Sequence, residues 1–256
     1  LDRPLPIAPQ LDRQTLAALP ASGNGGVAVL DSGLSESLAD SPFFSATFDA
    51  ISPGSTISDP LGHGTQMSLL AAGVVHPIGH FYDTDENHAV VSIRAFDDNG
   101  FTSNSALLKG IDYAIEAGSR VLSMSWGTEI DSMLLQAAVT YANENGLILV
   151  AAAGNAPTGR PVYPAAYQEV IAVGALMPDG SRWKDSNYGD FVALYAPGLA
   201  QLPVGYDGDP GMYAGTSIAA AYAAHEIAAI LAAAPDTDLP TILQALVADQ
   251  ATGITE

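Results

Sequence analysis

Three short motifs carry the side chains that a nucleophilic serine requires. The motif VAVLDSGL contains Asp31, GHGT contains His63, and GTSIA contains Ser217. A serine hydroxyl attacks an amide at neutral pH only when a base accepts its proton and a carboxylate orients that base. The order Asp, His, Ser therefore predicts an acyl-transfer site. A fourth motif, AAAGN, ends at Asn155 and offers an amide donor for the negative charge that develops on the attacked carbonyl oxygen.

Each motif also has a plain structural interpretation. A DSG sequence after an apolar strand is often a turn, and GHGT is a glycine-rich loop that could carry a surface histidine. Thr and Ser in GTSIA could cap the first turn of a helix. These interpretations treat the motifs one at a time, whereas all four occur in one chain and in one order. Their combination favours the catalytic interpretation.

The motifs resemble those of the subtilisin-like serine peptidases, the subtilases. The resemblance runs from Gly25 to Ala234 and also includes SMSWG, YPAAY, VIAVGA, SNYG and APG, at 123–127, 163–167, 170–175, 186–189 and 196–198. The family is built as a three-layer α/β sandwich around a mostly parallel sheet. The resemblance therefore implies a fold and an activity together.

The resemblance assigns a role to each of the four candidate residues. It implies that Asp31 orients His63, that His63 acts first as base and then as acid, and that Ser217 is the nucleophile. It also implies an oxyanion hole formed by the side chain of Asn155 and the backbone N–H of Ser217. The chemistry implied in this way needs no cofactor.

The motifs SMSWG and AAAGN resemble the two walls of the family's pocket for the residue before the scissile bond. An extended substrate would pair with the backbone of 125–127 as an added strand. The substrate-binding residues implied in this way are Ser125, Trp126, Gly127, Ala152, Gly154 and Val162. Trp126 has two open interpretations: contact with a substrate side chain further upstream, or an aromatic residue of the core or rim.

Val162 stands where relatives often have a glycine at the pocket floor. It predicts a shallow pocket that prefers small or medium apolar residues to Phe or Tyr. The loop 154–162 contains no acidic residue, which disfavours a preference for Arg or Lys.

Two helices depart from the family pattern. Ala221 replaces the usual proline, a change with little expected effect on Ser217. His225 and Glu226 occupy a stretch that is normally small and apolar, and larger residues replace small ones in the histidine helix at Met67, Leu69 and Leu70. The changes predict altered packing between the helices that carry His63 and Ser217. Either the changes in one helix compensate for those in the other, or the scaffold that holds the two residues has degraded.

A structural calcium ion is the metal that the resemblance suggests. Asp40 lies nine residues after Asp31, where many relatives have a calcium ligand. Asp83, Asp85 and Glu86 carry hard oxygen atoms suited to calcium, but they would fit a solvated turn equally well. His76, His80 and His88 lack the spacing of a zinc site, so zinc is disfavoured.

Composition favours one sizeable peptidase domain over 25–256, preceded by a proline-rich surface arm over 1–24. The 28 acidic and 8 basic residues give a formal charge of −20, which disfavours nucleic acid as a partner. The apolar stretch Ile218 to Ala234 contains His225 and Glu226, so it predicts a buried helix and no membrane span. Absence of Cys excludes disulfides and a cysteine nucleophile.

The first residues show no basic region followed by an apolar run, so we expect no signal peptide in this stretch. We therefore expect the chain to be a mature or trimmed form of a secreted or periplasmic bacterial protein; whether a propeptide has been removed is left open by the sequence. The expected partner is a peptide or protein substrate, and the expected oligomeric state is a monomer.

Short runs rich in Val and Ile alternate with helical patterns. Strands buried on both faces are predicted at 27–31, 90–96, 120–125, 147–153 and 170–175. Helices are predicted at 63–72, 103–117, 131–145 and 216–234. The alternation predicts a three-layer α/β fold with catalytic groups at the carboxyl ends of the strands.

We therefore expect a serine endopeptidase. One alternative keeps the same residues for a dedicated peptide-maturation protease or transpeptidase. Another is a catalytically silent, peptide-binding pseudoprotease, which intact Asp31, His63, Asn155 and Ser217 disfavour and the unusual helix packing weakly favours. An esterase of the α/β-hydrolase type is excluded, because Ser217 is not in a GxSxG motif and the triad order differs.

Overall fold

The computed structural model describes residues 26–79, 87–203 and 210–252. Among them, seven strands form a parallel sheet: β1 (Val27–Asp31), β2 (Phe44–Asp49), β3 (Val90–Arg94), β4 (Val121–Met124), β5 (Ile148–Ala152), β6 (Val170–Leu176) and β7 (Leu194–Pro197). Their order across the sheet is β2-β3-β1-β4-β5-β6-β7. A separate antiparallel pair consists of β8 (Leu199–Leu202) and β9 (Gly211–Ala214).

Five helices flank the sheet in the described part of the chain: α1 (His63–Ala71), α2 (Asn104–Glu116), α3 (Met133–Glu144), α4 (Thr216–Ala233) and α5 (Leu239–Thr252). A 3₁₀ helix spans Glu36–Leu38. Helices α1 and α4 pack together on one face of the sheet, with α5 against α4, while α2 and α3 pack on the other.

Side chains along β1 alternate between the two layers of helices. Val27 and Val29 belong to the apolar core that contains α1 and α4, whereas Ala28 and Leu30 belong to the core that contains α2 and α3. Because successive side chains of a strand point to opposite faces, this alternation buries β1 on both sides. The predicted three-layer α/β fold is confirmed.

Every predicted strand and helix occurs, with bounds within two residues of those expected. Helices α2 and α3 begin after serines whose hydroxyls accept backbone N–H bonds, at 3.2 Å for Ser103 and 3.4 Å for Ser132. The predicted surface arm over 1–24 lies outside the described residues, as do His80, Asp83, Asp85 and Glu86.

Helix α4 is long and apolar enough to cross a membrane by length and composition alone. However, 78% of it is buried within the protein, against α1 and strands of the sheet. As the sequence predicted, it is a core helix.

The unusual residues of α1 and α4 meet in the core. Met67 and Leu70 are buried, and the His225 ring packs 4.9 Å from that of His88 and 6.0 Å from that of His76, measured between ring centres. His225 Nδ1 lies 3.2 Å from the carbonyl oxygen of Ala71 at the end of α1. Burial, with a smaller effect of the neighbouring histidines, lowers the pKa of His225 to about 3, so the ring is neutral at pH 7. The two helices therefore join through a packed, uncharged contact.

Candidate active site

The candidate catalytic side chains lie near the carboxyl ends of β1 and β4, which are neighbours in the sheet. After β1 the chain continues to β2 on one side of this pair, and after β4 it continues to β5 on the other side. The connections therefore diverge, and a crevice opens between the carboxyl ends of the two strands. Asp31 is the last residue of β1, His63 the first of α1, and Ser217 the second of α4. All three line one cleft of about 420 Å³, and Asn155 also lines it.

Asp31 and His63 form a short hydrogen bond. His63 Nδ1 lies 2.7 Å from Asp31 Oδ1, and the side chain of Asp31 is only 5% exposed. A carboxylate accepts hydrogen bonds and does not donate them, so the neutral imidazole carries its proton on Nδ1. The basic nitrogen is then Nε2, as a general base for a serine requires.

The pKa of His63 reflects two opposing effects. Burial lowers it, but the negative charge of Asp31, the hydrogen bond to Asp31 and the more distant charge of Asp59 together raise it above its ordinary value of 6.5. Asp31 thus stabilises the imidazolium that forms when His63 accepts a proton.

Ser217 lies in the first turn of α4, where the backbone N–H groups and the helix dipole favour negative charge. Its hydroxyl donates to the carbonyl oxygen of Ser125 at 3.2 Å, and the hydroxyl of Ser125 donates to the carbonyl oxygen of Ser217, also at 3.2 Å. These two bonds join α4 to the segment that follows β4.

Asn155 is held through its side-chain oxygen. Oδ1 accepts from the backbone N–H of Thr216 at 2.9 Å and from the Thr216 hydroxyl at 2.8 Å. With Oδ1 occupied in this way, Nδ2 is the group available to a ligand, and Asn155 is exposed in the cleft beside Ser217. The side chain can therefore donate to an oxyanion.

A second cavity of about 260 Å³ lies beside Ser217. It is lined by all six residues predicted to bind substrate: Ser125, Trp126, Gly127, Ala152, Gly154 and Val162. A Cβ added to Gly127 would lie 2.5 Å from Val162 Cγ1, and one added to Gly154 would lie 3.3 Å from Val162 Cγ2. Val162 therefore occupies the space between two glycine walls.

Glu129 also lines this cavity, although the sequence analysis considered acidic residues only in the loop 154–162. It is exposed and lies 4.0 Å from Arg160. Glu129 comes from the other wall, two residues beyond SMSWG, so only the folded chain brings it to the pocket.

Trp126 is half-buried and lines both cavities. Its indole N–H donates to the carbonyl oxygen of Leu30 at 2.9 Å, and its ring packs 5.6 Å from that of Phe96, between ring centres. One edge of the ring is thus tied to the core while the side chain still lines the cleft, and contact with a substrate side chain stays a prediction.

Comparison with known proteins identifies the family. The sequence profile of the subtilase family matches residues 24–255. The chain belongs to the subtilase family. It is 38% identical over 176 residues to the minor extracellular protease Epr of Bacillus subtilis, a match that covers 67% of this chain and 26% of Epr. It is 33% identical over 180 residues to thermitase of Thermoactinomyces vulgaris, covering 70% of this chain and 64% of thermitase.

A solved structure, described as that of a cold adapted subtilisin-like serine proteinase, matches with a TM-score of 0.69 and 25% identity. The match covers 93% of this subtilase and 87% of the other chain. The resemblance inferred from the motifs is therefore confirmed at the level of both sequence and fold. The matched region spans less than two thirds of the length of Epr and of thermitase.

Two residues that support the site in this subtilase were not identified from the sequence. Asn187 is buried and donates to the carbonyl oxygens of Ala153 at 3.1 Å and Arg160 at 2.9 Å, while accepting from Gly159 N at 3.0 Å. It thereby fixes the loop that carries Asn155. The second residue, Asp59, joins the segments around Asp31 and His63. Asn187 bonds only to backbone groups in these contacts, and two of the four donors to Asp59 are backbone N–H groups, so residue type alone does not reveal either role.

Asp40, the predicted calcium ligand, is exposed in a turn after the 3₁₀ helix. Within 26–79, 87–203 and 210–252, no three His, Asp or Glu side chains converge as metal ligands. Asp40 therefore has no ligand partners among the residues described, and a calcium ion at this position stays a prediction of the sequence.

Proposed function

We propose that this chain is a serine endopeptidase in which Asp31, His63 and Ser217 form the catalytic triad. The observation that carries the proposal is the arrangement around one cleft of a buried carboxylate, a histidine bonded to it through Nδ1, and a serine in the first turn of a core helix. Membership in the subtilase family supports the same activity.

The proposed reaction forms and breaks bonds at a peptide carbonyl. Ser217 Oγ attacks the carbonyl carbon while His63 Nε2 accepts the hydroxyl proton, and the imidazolium is stabilised by Asp31. The carbonyl oxygen becomes an oxyanion that accepts from Asn155 Nδ2 and the backbone N–H of Ser217. His63 then donates its proton to the leaving amine as the C–N bond breaks. Water, losing a proton to His63 Nε2, then attacks the acyl carbon; the bond from that carbon to Ser217 Oγ breaks, His63 returns the proton to Oγ, and the carboxylic acid product leaves.

The hydroxyl of Ser217 must change partner before it reacts. In the structure it donates to the Ser125 carbonyl oxygen at 3.2 Å. We propose that substrate binding along 125–127 replaces this bond, so that the hydroxyl turns to His63 Nε2. Catalytic hydrogen bonds often tighten only when substrate is present.

The substrate is proposed to carry a small or medium apolar residue before the scissile bond. Val162 supports this preference, because its methyl groups fill the space between Gly127 and Gly154 where a large ring would have to enter. Glu129 lies at the exposed rim near Arg160 and not at the floor. A residue with a charged end could therefore approach the rim, but an apolar side chain of modest length fills the pocket.

The substrates and the cellular location proposed for this chain are supported by its membership in the subtilase family. We propose peptide or protein substrates and action outside the cell, since one of the relatives is named an extracellular protease. No cofactor takes part in the proposed steps. A monomer remains the expected oligomeric state.

A peptide-binding pseudoprotease is the second candidate, and one observation favours it: the Ser217 hydroxyl donates to Ser125 in this structure. Labelling with a fluorophosphonate probe, read by intact mass, separates the two candidates. We expect a single adduct that is absent in Ser217→Ala. As a matched control, Ser105→Ala removes an exposed hydroxyl from α2 and should label like the original protein. No adduct on folded protein would favour the pseudoprotease.

Labelling cannot distinguish a broad endopeptidase from a dedicated maturation protease or transpeptidase. A library of unrelated peptides would do so, if products are identified by mass. Cleavage of many sequences, with water as the acyl acceptor, supports the endopeptidase. Cleavage of very few sequences, or products joined to an added amine, would support the dedicated alternatives.

A further inference from the structure

Asp59 lies in the loop between β2 and α1, four residues before His63. Its carboxylate accepts four hydrogen bonds. Oδ1 accepts from the Ser32 hydroxyl at 2.8 Å and from Gly62 N at 3.0 Å, and Oδ2 accepts from Thr65 N at 2.7 Å and from the Thr65 hydroxyl at 2.6 Å. This one side chain therefore joins the segment that follows β1, through the Ser32 hydroxyl, to the segment 62–65 at the start of α1.

The partners of Asp59 flank two of the candidate catalytic residues. Ser32 directly follows Asp31, and Gly62 directly precedes His63. The Ser32 hydroxyl that donates to Asp59 also accepts from Gly64 N at 2.8 Å. The carboxyl end of β1 and the start of α1 are thus joined on either side of the 2.7 Å bond between Asp31 and His63.

Helix α1 has no side-chain cap of its own. Its N-cap residue is Gly62, at a φ of 73°, and the first four backbone N–H groups of an α-helix have no partner within the helix. Asp59 and Ser32 supply acceptors to Thr65 N and Gly64 N. A negative charge at this position also interacts favourably with the helix dipole. The orientation of the helix that begins with His63 therefore depends on a carboxylate outside it.

The two segments approach each other at backbone distance. A Cβ added to Gly64 would lie 2.4 Å from the carbonyl oxygen of Gly33 and 2.5 Å from its nitrogen. Little room is left for α1 to shift while the hydrogen bonds to Asp59 persist. Burial lowers the pKa of His63, and the charge of Asp59 helps Asp31, whose effect is larger, to raise it above its ordinary value.

We propose that Asp59 is a positioning residue for His63, holding the imidazole against Asp31 through Ser32 and the first turn of α1. The proposal rests on the proposed function for its effect on catalysis, but the positioning itself concerns the ground state of the protein. Asp59 does not touch the reacting atoms and is therefore not a catalytic residue.

The test compares Asp59→Asn with Asp190→Asn, which removes the same charge from an exposed position that lines neither cavity. The Asn side chain has one oxygen that accepts and an NH₂ group that only donates, so it cannot accept the bonds that Asp59 receives at both of its oxygens. The substitution also removes the negative charge of Asp59. We expect kcat to fall about tenfold, the effect of losing one charge-assisted hydrogen bond. KM should change little, the acid limb of kcat/KM should move to lower pH, and Asp190→Asn should show neither effect.

A second readout does not depend on activity. NMR titration of the His63 ring in the Ser217→Ala protein, with the signal assigned through His63→Ala, should give a lower pKa for His63 when Asp59 is replaced by Asn. If Asp59→Asn does not fold, Ser32→Ala removes the bridge without changing charge and should still lower kcat several-fold. An unchanged His63 pKa in Asp59→Asn, or in its absence an unchanged kcat in Ser32→Ala, would overturn the proposal. If the original protein neither labels nor cleaves, the proposed function fails, while the titration still decides the role of Asp59.

Discussion

The indole N–H of Trp126 donates to the carbonyl oxygen of Leu30, one residue before Asp31. The pairing of β1 with β4 ends at Val29 and Ser123, so the Leu30 carbonyl lies just beyond the last paired residue. The tryptophan side chain supplies the next hydrogen bond in that direction. Trp126, which lines the cleft, is in this way tied to the backbone beside Asp31, the proposed catalytic carboxylate.

Replacing Trp126 with Phe should weaken this connection while keeping an aromatic ring against Phe96. We expect the free energy of unfolding to fall by about 1 kcal/mol or slightly more, because the buried Leu30 carbonyl loses its donor. A loss in kcat of a few-fold should accompany it if the end of β1 moves. Denaturant unfolding and peptide kinetics measure the two effects. Trp183→Phe, at the other tryptophan of the chain, is the control. Equal effects of the two substitutions would contradict the assignment.

Replacing Val162 with Gly should deepen the pocket beside Ser217. Removing the two methyl groups opens the space between Gly127 and Gly154, so a substrate Phe gains apolar contact that a substrate Ala cannot use. Burial of an aromatic side chain contributes about 1.5–3 kcal/mol, so the ratio of kcat/KM for Phe to that for Ala should rise about 10- to 100-fold. Paired peptides that differ only at this residue give the ratio. A constant ratio would mean that another residue limits the pocket.

Replacing Asn155 with Ala should slow the chemical step and leave substrate affinity nearly unchanged. The amide is expected to donate only once an oxyanion has formed. The expected loss is about 10²–10³-fold in kcat, a magnitude known from subtilisin itself and not calculated from this structure. Steady-state kinetics with a peptide substrate check it. Thr216→Val, which removes one of the two donors to Asn155 Oδ1, should give a smaller loss of the same kind. An effect confined to KM would argue against the oxyanion role.

His225 predicts a loss of stability in acid. Burial lowers its pKa to about 3, below the ordinary value of 6.5 expected in the unfolded chain, so between these values the unfolded state binds more protons. Stability therefore falls as the pH decreases from 6.5 towards 3, by about 2–3 kcal/mol at pH 4.5 from this group alone. Its ring faces His76 and His88, with Tyr222 and Glu226 on the same helix.

Urea unfolding at pH 7.5 and pH 4.5 measures this loss. The variant His225→Leu should lose less stability between the two pH values than the original protein. His63→Ala serves as the comparison, because a raised pKa acts with the opposite sign: its stabilisation is present below pH 6.5 and is lost as the pH rises through the folded pKa. If the free energy of unfolding of His225→Leu falls by the same amount between pH 7.5 and pH 4.5, groups other than His225 are responsible.

The sequence predicted the inner strands because they are continuous apolar runs. It did not predict the two edge strands, β2, where only the two ends of FSATFD are fully buried, and β7. It also did not predict the short pair β8 and β9, which lies outside the main sheet, or helix α5. Edge and peripheral strands are half-exposed or only four residues long, so their composition does not distinguish them from a loop. Their existence depends on the neighbours they pair with.

The candidate site shows the same division. Asp31, His63, Asn155 and Ser217 stand in motifs of fixed residue type, so the sequence identified them. The sequence cannot show that Thr216 orients the Asn155 amide, because that contact joins residues 61 positions apart. The sequence likewise cannot show that Glu129 lines the pocket, because Glu129 lies outside the loop 154–162 and only folding brings the two segments together. The sequence therefore identifies the candidate residues by type, whereas the orientation of their side chains and the residues around them are known only from the folded structure.

Helix α4 carries Ser217 in its first turn and is buried along most of its length against α1 and the sheet. Helix α1, which begins with His63, is buried from Gly64 to Ala71. Two members of the proposed triad therefore lie at the start of buried helices, which belong to the part of a protein that opens only with the rest of its core. We expect the proposed triad to stay assembled until the core unfolds. Only then would the chain become a substrate for other copies of itself.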